Sequence, residues 1–255
     1  MSRQIRQAKV LSTQQITPHL QRIIIGSDEF KEFSDVSMPN YIGNYIKVLL
    51  PKKGQSSLNL NPKTAVMRSY TIRDVDSETG ALTLDFVINM HQGPATDWAQ
   101  TTQKGDSLAI AGPGPKKMDD FSQLHYILLG DLTSVNAIKG YLQQLPIIAK
   151  IEAFIHVPSK QDIIDLDTTR DVNWIVTNTP NQTMEIALND LTITETSPTV
   201  FMALEAGLVS QLKTMFAQKY AIPRYNIVAS GYWKKGVNSE RYKEQRQQQQ
   251  KNQNS

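Results

Sequence analysis

Four side chains in the run Val66-Met67-Arg68-Ser69-Tyr70-Thr71-Ile72-Arg73 carry the chemistry needed to hold a flat, phosphate-bearing ligand. Side chains alternate along a strand, so Arg68 and Tyr70 point to one face while Ser69 and Thr71 point to the other. A guanidinium grips a diphosphate through paired hydrogen bonds, and a tyrosine ring lies against a planar heterocycle while its hydroxyl stays in water. The two hydroxyls suit ring edges or a ribose. Alone, the octapeptide reads equally well as an ordinary charged strand of a half-exposed sheet.

A second block favours the ligand. The strand-like run Ala81 to Asn89 leads into Met90-His91-Gln92-Gly93-Pro94-Ala95-Thr96-Asp97-Trp98-Ala99. Proline is favoured at the first helical position, and glycine before it lets a ligand approach the backbone closely. The free amides of such a first turn form an anion site suited to the diphosphate of a dinucleotide. The plain alternative is that Gly93-Pro94 is only a turn. A third block, Gly105 to Pro115, reads as one last strand closed by the rigid turn Gly112-Pro113-Gly114-Pro115 at the end of a domain.

Two kinds of scaffold must position these groups. Between Gln4 and Pro113 the alternation predicts six strands, at 7–16, 20–26, 45–50, 66–74, 82–89 and 107–111, paired antiparallel as a small barrel, with one helix at 94–102. From Tyr126 onward strands at 126–129, 151–157, 173–177, 200–204 and 226–232 alternate with helices at 135–145, 184–191 and 206–220, which calls for a parallel sheet with helices on its faces. Tyr126-Ile127-Leu128-Leu129-Gly130 is the unbroken apolar run of a strand buried on both sides. No Gly-x-Gly-x-x-Gly fingerprint follows it, so this half is Rossmann-like in architecture only. The segment 239–255 is Gln-rich and reads as a solvated helix or a disordered tail.

Composition removes rival chemistries. The chain of 255 residues has no cysteine, which excludes disulfides, thiolate catalysis and cysteine-ligated iron–sulfur clusters. The four histidines, His19, His91, His125 and His156, lack metal-ligand spacing, so no metal site is expected. The net charge of +3 is spread along the chain, without the dense basic stripe of a nucleic-acid binder. No signal peptide and no apolar run of spanning length is visible, so neither export nor membrane insertion is expected.

The blocks in this order resemble the siderophore-interacting protein family, also called ferric-siderophore reductases, within the ferredoxin reductase-like flavoproteins. The resemblance spans Ile5 to Tyr242. It rests on Arg68-x-Tyr70-Thr71, Asp85-Phe86-Val87 leading to Gly93-Pro94-Ala95 and Trp98, Gly105-Asp106 to Gly114, Gly130-Asp131-x-Thr133, and Gly231-Tyr232-Trp233-Lys234. It implies an FAD-binding six-stranded antiparallel barrel over residues 1–115, a Rossmann-like parallel α/β domain of the NAD(P)-binding type over 119–238, and the tail 239–255. It also implies single-electron reduction of a hydroxamate- or catecholate-bound Fe(III), with release of Fe(II) in the cytoplasm, by a monomer whose donor is NAD(P)H or ferredoxin.

Residue by residue, the resemblance assigns Arg68 to the diphosphate, Tyr70 to the ring system, and Ser69 and Thr71 to its polar edge or ribitol. Asp85, Val87 and Asn89 would flank ring and chain; Gly93, Pro94, Ala95 and Thr96 would line the phosphates, and Thr133 with the Asp131 backbone would close the site. No side chain is assigned a catalytic role. For the chelate it implies a basic pocket of Lys47 and Lys234, with Lys116 or Lys117 as a third cation and Lys235 and Trp233 alongside. Four positions depart from the family pattern: Asn89 replaces a histidine, Leu132 a glutamate, Leu204 a glycine and Lys234 an arginine. Leu132 and Leu204 are expected to narrow or remove a nicotinamide site. Two other readings remain open: a general NAD(P)H-dependent flavin or ferredoxin-type reductase, and a non-enzymatic siderophore-binding protein.

Overall fold

Period-two burial turns the first half of the chain into strands. The computed structural model describes residues 4–35, 40–52, 57–61, 64–189, 191, 193 and 197–237; the expected tail at 239–255 lies outside them. Strands β1 (Ile5–Thr17), β2 (Leu20–Gly26), β3 (Tyr45–Leu50), β4 (Val66–Val75), β5 (Leu82–Val87) and β6 (Ser107–Gly114) close into a barrel of order β1-β2-β5-β4-β3-β6, with every pairing antiparallel. Ile23, Ile25, Ile46, Val48, Leu84 and Phe86 fill its interior. Helix α1 (Pro94–Thr101) packs Ala95 and Ala99 onto the same core.

Among the differences from the sequence-based expectation, where β5 also stops at Val87 and α3 starts at Pro180, two shape the barrel. Strand β6 does not end at Ala111 but continues through Gly112-Pro113 to Gly114, which pairs with Tyr45 where the register shifts. A proline is tolerated at such an irregularity because it interrupts the ladder there anyway. Gly114 lies tight against the Tyr45 ring, which would have to shift to admit a Cβ there. The second is a 3₁₀ helix, Asp28–Ser34, which buries Phe30 and Phe33 against the barrel. It had no signature in the sequence because so short a helix shows no sustained period.

Strands β7 (His125–Asp131), β8 (Lys150–Val157), β9 (Val172–Val176), β10 (Thr199–Glu205) and β11 (Ile227–Trp233) form a parallel sheet of order β11-β10-β7-β8-β9. Every residue of β7 is buried. Ile127 and Leu129 join Met202 and Leu204 on the face covered by α3 (Pro180–Asn189) and α4 (Ala206–Lys219). Tyr126 and Leu128 face the other way, toward α2 (Val135–Gln144) and the barrel residues Leu20 and Val87. No helix among the described residues is long and apolar enough to cross a membrane.

Barrel and sheet meet through α2 and three sets of polar contacts. Gly140 of α2 lies on the barrel loop so closely that a Cβ would be 2.6 Å from Cα of Gly43. Buried Lys139 reaches Asp74 at 2.6 Å and Asp167 at 2.7 Å, and Arg73 reaches Asp167 at 3.1 Å. Arg22 binds Asp85 through Nε and Nη2 at 2.8 and 3.1 Å, and Asn136 donates to the same carboxylate at 3.3 Å. Further along, Asp162 accepts from Thr17 and Ser159, both at 2.8 Å, and pairs with His19 Nδ1 at 2.9 Å.

Candidate functional site

Strand β4 sets the first wall of the site. Tyr70 lies 4.0 Å from Phe86, ring centroid to centroid, and Phe86 lies 5.5 Å from Trp98, so one aromatic row ties β4 to β5 and α1. Burial raises the Tyr70 hydroxyl pKa, against the pull of Arg68, so the phenol stays neutral. Arg68 is half-buried, and its Nη1 donates to the Met67 carbonyl at 3.0 Å. Ser69 lies on the exposed face and accepts from Lys47 Nζ at 2.5 Å; the same ammonium lies 5.7 Å from the Tyr45 ring centre. Thr71 pairs with Tyr45 across β3.

The start of α1 forms the second wall. Pro94 occupies the first turn and no side chain caps it. Gly93 is extended, and a Cβ built there would meet nothing within 4 Å. The backbone in front of the first-turn amides is therefore open, the shape a diphosphate needs. Thr96 is buried with its hydroxyl on the Val87 carbonyl at 3.4 Å, so its side chain is engaged within the protein. Asn89 adopts a left-handed backbone (φ 59°), which asparagine tolerates. Its amide ties Pro18 O at 2.9 Å and Gln100 at 2.7 Å, holding the approach to α1.

The carboxyl edge of the sheet carries the next group of candidates. Asp131 Oδ1 accepts from the Thr133 amide at 2.8 Å and hydroxyl at 2.5 Å, while Oδ2 accepts from Trp233 Nε1 at 2.8 Å. Burial raises the Asp131 pKa, opposed by these hydrogen bonds and by His156. Loss of hydration lowers the pKa of His91, ahead of α1, and the Asp131 charge opposes that shift. Glu205 accepts from Gly207 and Leu208 at the start of α4 and from the Lys235 amide at 3.1 Å.

Several expected roles change here. The Asp85 carboxylate, expected to flank the ring, is buried against Arg22 and Asn136 where the barrel meets α2. Leu132 and Leu204 are 4% and 1% exposed and belong to the two core layers of the sheet, so neither side chain stands in the crevice. Lys116 is held by Asn40 and Asn44 and its pKa is lowered by burial, whereas Lys117 is exposed. Val87 is buried, and Lys234 and Lys235 are exposed just past β11. The sequence assigns Asp131 to the site through its backbone and leaves its carboxylate, like that of Glu205, without a role. Their signals were Asp-x-Thr, the spacing of an Asx turn, and a glutamate immediately before a helix.

Residues 9–117 match the model of the siderophore-interacting FAD-binding domain, and residues 123–236 that of the siderophore-interacting protein. The chain belongs to the siderophore-interacting family. Like other members it takes FAD as cofactor, and the open Gly93 backbone, the uncapped α1 start and the half-exposed Tyr70 ring fit that group. The chain is 31% identical over 222 residues to the ferric vibriobactin reductase ViuB of Vibrio cholerae serotype O1, covering 80% of this chain and 81% of that one. The siderophore-interacting protein SipS of Aeromonas hydrophila superposes with a TM-score of 0.81 at 29% identity, over 98% and 99% of the two chains. The ferredoxin NADP+ reductase of Neisseria gonorrhoeae, with bound FAD and NADP, shares the fold at a TM-score of 0.60 and 14% identity, over 90% and 99%.

Proposed function

We propose that this family member is an FAD-dependent ferric-siderophore reductase, an oxidoreductase that releases iron in the cytoplasm by reducing chelated Fe(III) to Fe(II). The reading is supported most by the similarity to a ferric vibriobactin reductase over 222 residues, joined to the open backbone at Gly93 before α1. Hard oxygen ligands hold Fe(III) far more tightly than Fe(II), so reduction is release. When bound, FAD stores two electrons and passes them on singly, so two ferric chelates are reduced per reduced cofactor.

The chain's own residues have three tasks in this reading. Arg68 and the first-turn amides of α1 hold the diphosphate, with Pro94 supplying only shape because it has no N–H. Tyr70, backed by Phe86, supports the ring system, with Ser69 and Thr71 at its polar edge. Lys47, Lys234 and Lys235, with exposed Lys117 and the indole of Trp233, attract a negatively charged chelate, which needs no bond from protein to metal. A lysine suits this work because its compact charge and flexible stem adapt to varied shapes. The reading leaves the donor as NAD(P)H or ferredoxin, the chelate as a hydroxamate or catecholate, and the working unit as a monomer.

The test is anaerobic. The bound flavin is reduced with dithionite, a ferric tris-hydroxamate or tris-catecholate is added, and Fe(II) is trapped with a chromogenic ligand. The expected result is return of oxidised-flavin absorbance at a rate that rises with chelate concentration, with two Fe(II) trapped per flavin. A protein purified without flavin absorbance, or a reduced flavin that persists in the presence of chelate, overturns the proposal.

A further inference from the structure

The turn that carries Lys234 hangs from the two carboxylates that end the central strands. In the order β11-β10-β7-β8-β9 the chain winds outward in opposite directions from β7 and β10, so the crevice of this sheet opens at their carboxyl ends. Asp131 is the last residue of β7 and Glu205 the last of β10. Each reaches across to the segment after β11: Asp131 Oδ2 takes the Trp233 indole N–H at 2.8 Å, and Glu205 Oε1 takes the Lys235 amide at 3.1 Å. Lys234 lies between these two anchored residues. Its own carbonyl accepts from the Val237 amide at 3.2 Å, closing a turn in which Gly236 takes φ +73°.

From this geometry we infer that Asp131 and Glu205 are positioning residues, which hold the Trp233–Lys235 turn so that Lys234 meets a ferric chelate of net negative charge. The inference rests on the reading of the protein as a ferric-chelate reductase. Neither carboxylate needs to touch the chelate. Glu205 faces the α4 amides of Gly207 and Leu208, at 2.6 and 3.0 Å, where the positive end of the helix offsets its charge. Asp131 is 7% exposed and surrounded by donors from Thr133 and Trp233. Both negative charges are thereby answered locally while they fix the backbone on either side of a lysine. A four-carbon side chain pivoting on an unanchored turn would sample a larger volume and bind a rigid anion less well.

The experiment compares wild type, Asp131→Asn, Glu205→Gln, Trp233→Phe, Lys234→Ala and the double variant Glu205→Gln/Lys234→Ala, each loaded with FAD. Trp233→Phe removes the indole donor along with part of the ring, and stands in for Asp131→Asn should that variant fold poorly. Two quantities are read: the dissociation constant for a ferric tris-catecholate, from quenching of tryptophan emission, and the chelate concentration that half-saturates flavin reoxidation. Both should rise about fivefold in each single variant, with no further rise in the double variant, as expected when one residue acts through another. In Glu205→Gln, a residue assigned no contact with flavin or chelate, reoxidation by a neutral quinone should stay within about twofold, which a general loosening of the fold would not allow. A neutral ferric tris-hydroxamate should be affected less than the anionic catecholate. Unchanged chelate affinity, additive effects in the double variant, or equal losses with quinone and chelate would overturn the inference. Failure of the reductase reading is distinct, because wild type itself would then leave its flavin reduced.

Discussion

At Gly93 a side chain has space to enter and nothing to strike, since beyond the neighbouring residues no heavy atom lies within 4 Å of the point a Cβ would occupy, and the backbone is extended. Binding and folding therefore separate at this residue. Gly93→Val should cost less than about 1 kcal/mol of stability, the penalty of a poor cap, while the new isopropyl group fills the space before the α1 amides. FAD affinity should fall about tenfold or more, equivalent to about 1.4 kcal/mol, read by calorimetric titration of the stripped protein with FAD; unchanged affinity would place the diphosphate elsewhere. Arg68 gives the complementary case. Arg68→Lys keeps the charge but loses the planar fork, so FAD affinity should again drop severalfold, with little change in the thermal midpoint.

Among elements, the turn between β4 and β5 shows how a short segment constrains a barrel. Gly80 has φ +72°, and a Cβ there would lie 1.8 Å from the Phe30 carbonyl, in the 3₁₀ helix that plugs the barrel with Phe30 and Phe33. Gly80→Ala should destabilise by at least about 2 kcal/mol, from the left-handed backbone and the clash together, read as a lower urea midpoint. A neutral outcome would mean that the 3₁₀ helix yields easily and is not a true part of the core. Helix α1 illustrates the opposite dependence. Its start was legible from Gly93-Pro94, yet its direction is set by Trp98 packing on Phe86, which sequence proximity does not specify.

For the whole molecule, the barrel–sheet junction is ionic as well as apolar. The Asp85 side chain is 1% exposed and paired with Arg22, so Arg22→Met leaves a buried carboxylate with too few partners. That should cost about 3 kcal/mol, and Arg22→Met/Asp85→Leu should recover most of it, because a buried pair replaced whole by apolar groups is far less damaging than a broken one. Denaturation midpoints of the two variants check this. Acid should loosen the same junction. Burial would raise the Asp162 pKa, but hydrogen bonds from Ser159, His19 and Thr17 outweigh it and hold the group below its ordinary 3.8. Asp167 is lowered too, first by its hydrogen bond from Lys139. A depressed carboxyl stabilises the folded state above the unfolded pKa, and that contribution is lost as pH falls through the folded value. Stability should therefore be insensitive to these groups above about pH 5 and decline below about pH 4, with Asp162→Asn flattening the decline.

Local regularities were readable in the sequence because they recur within a few residues. Alternation along β2 and β3, the apolar run of β7, the helix start at Gly93-Pro94 and the succession of blocks shared with the family determined a barrel followed by a parallel sheet, and with them the flavin. Only the tertiary structure decided what the charges and the two unusual leucines do. Leu132 and Leu204 go to the core because the pleat of β10 and the turn after β7 aim them there. Asp85 meets Arg22 across a barrel pairing, and Asp131 meets Trp233 across 102 positions of sequence. Such meetings depend on strand order and register, and these follow from the packing of whole layers, which no short window of residues contains.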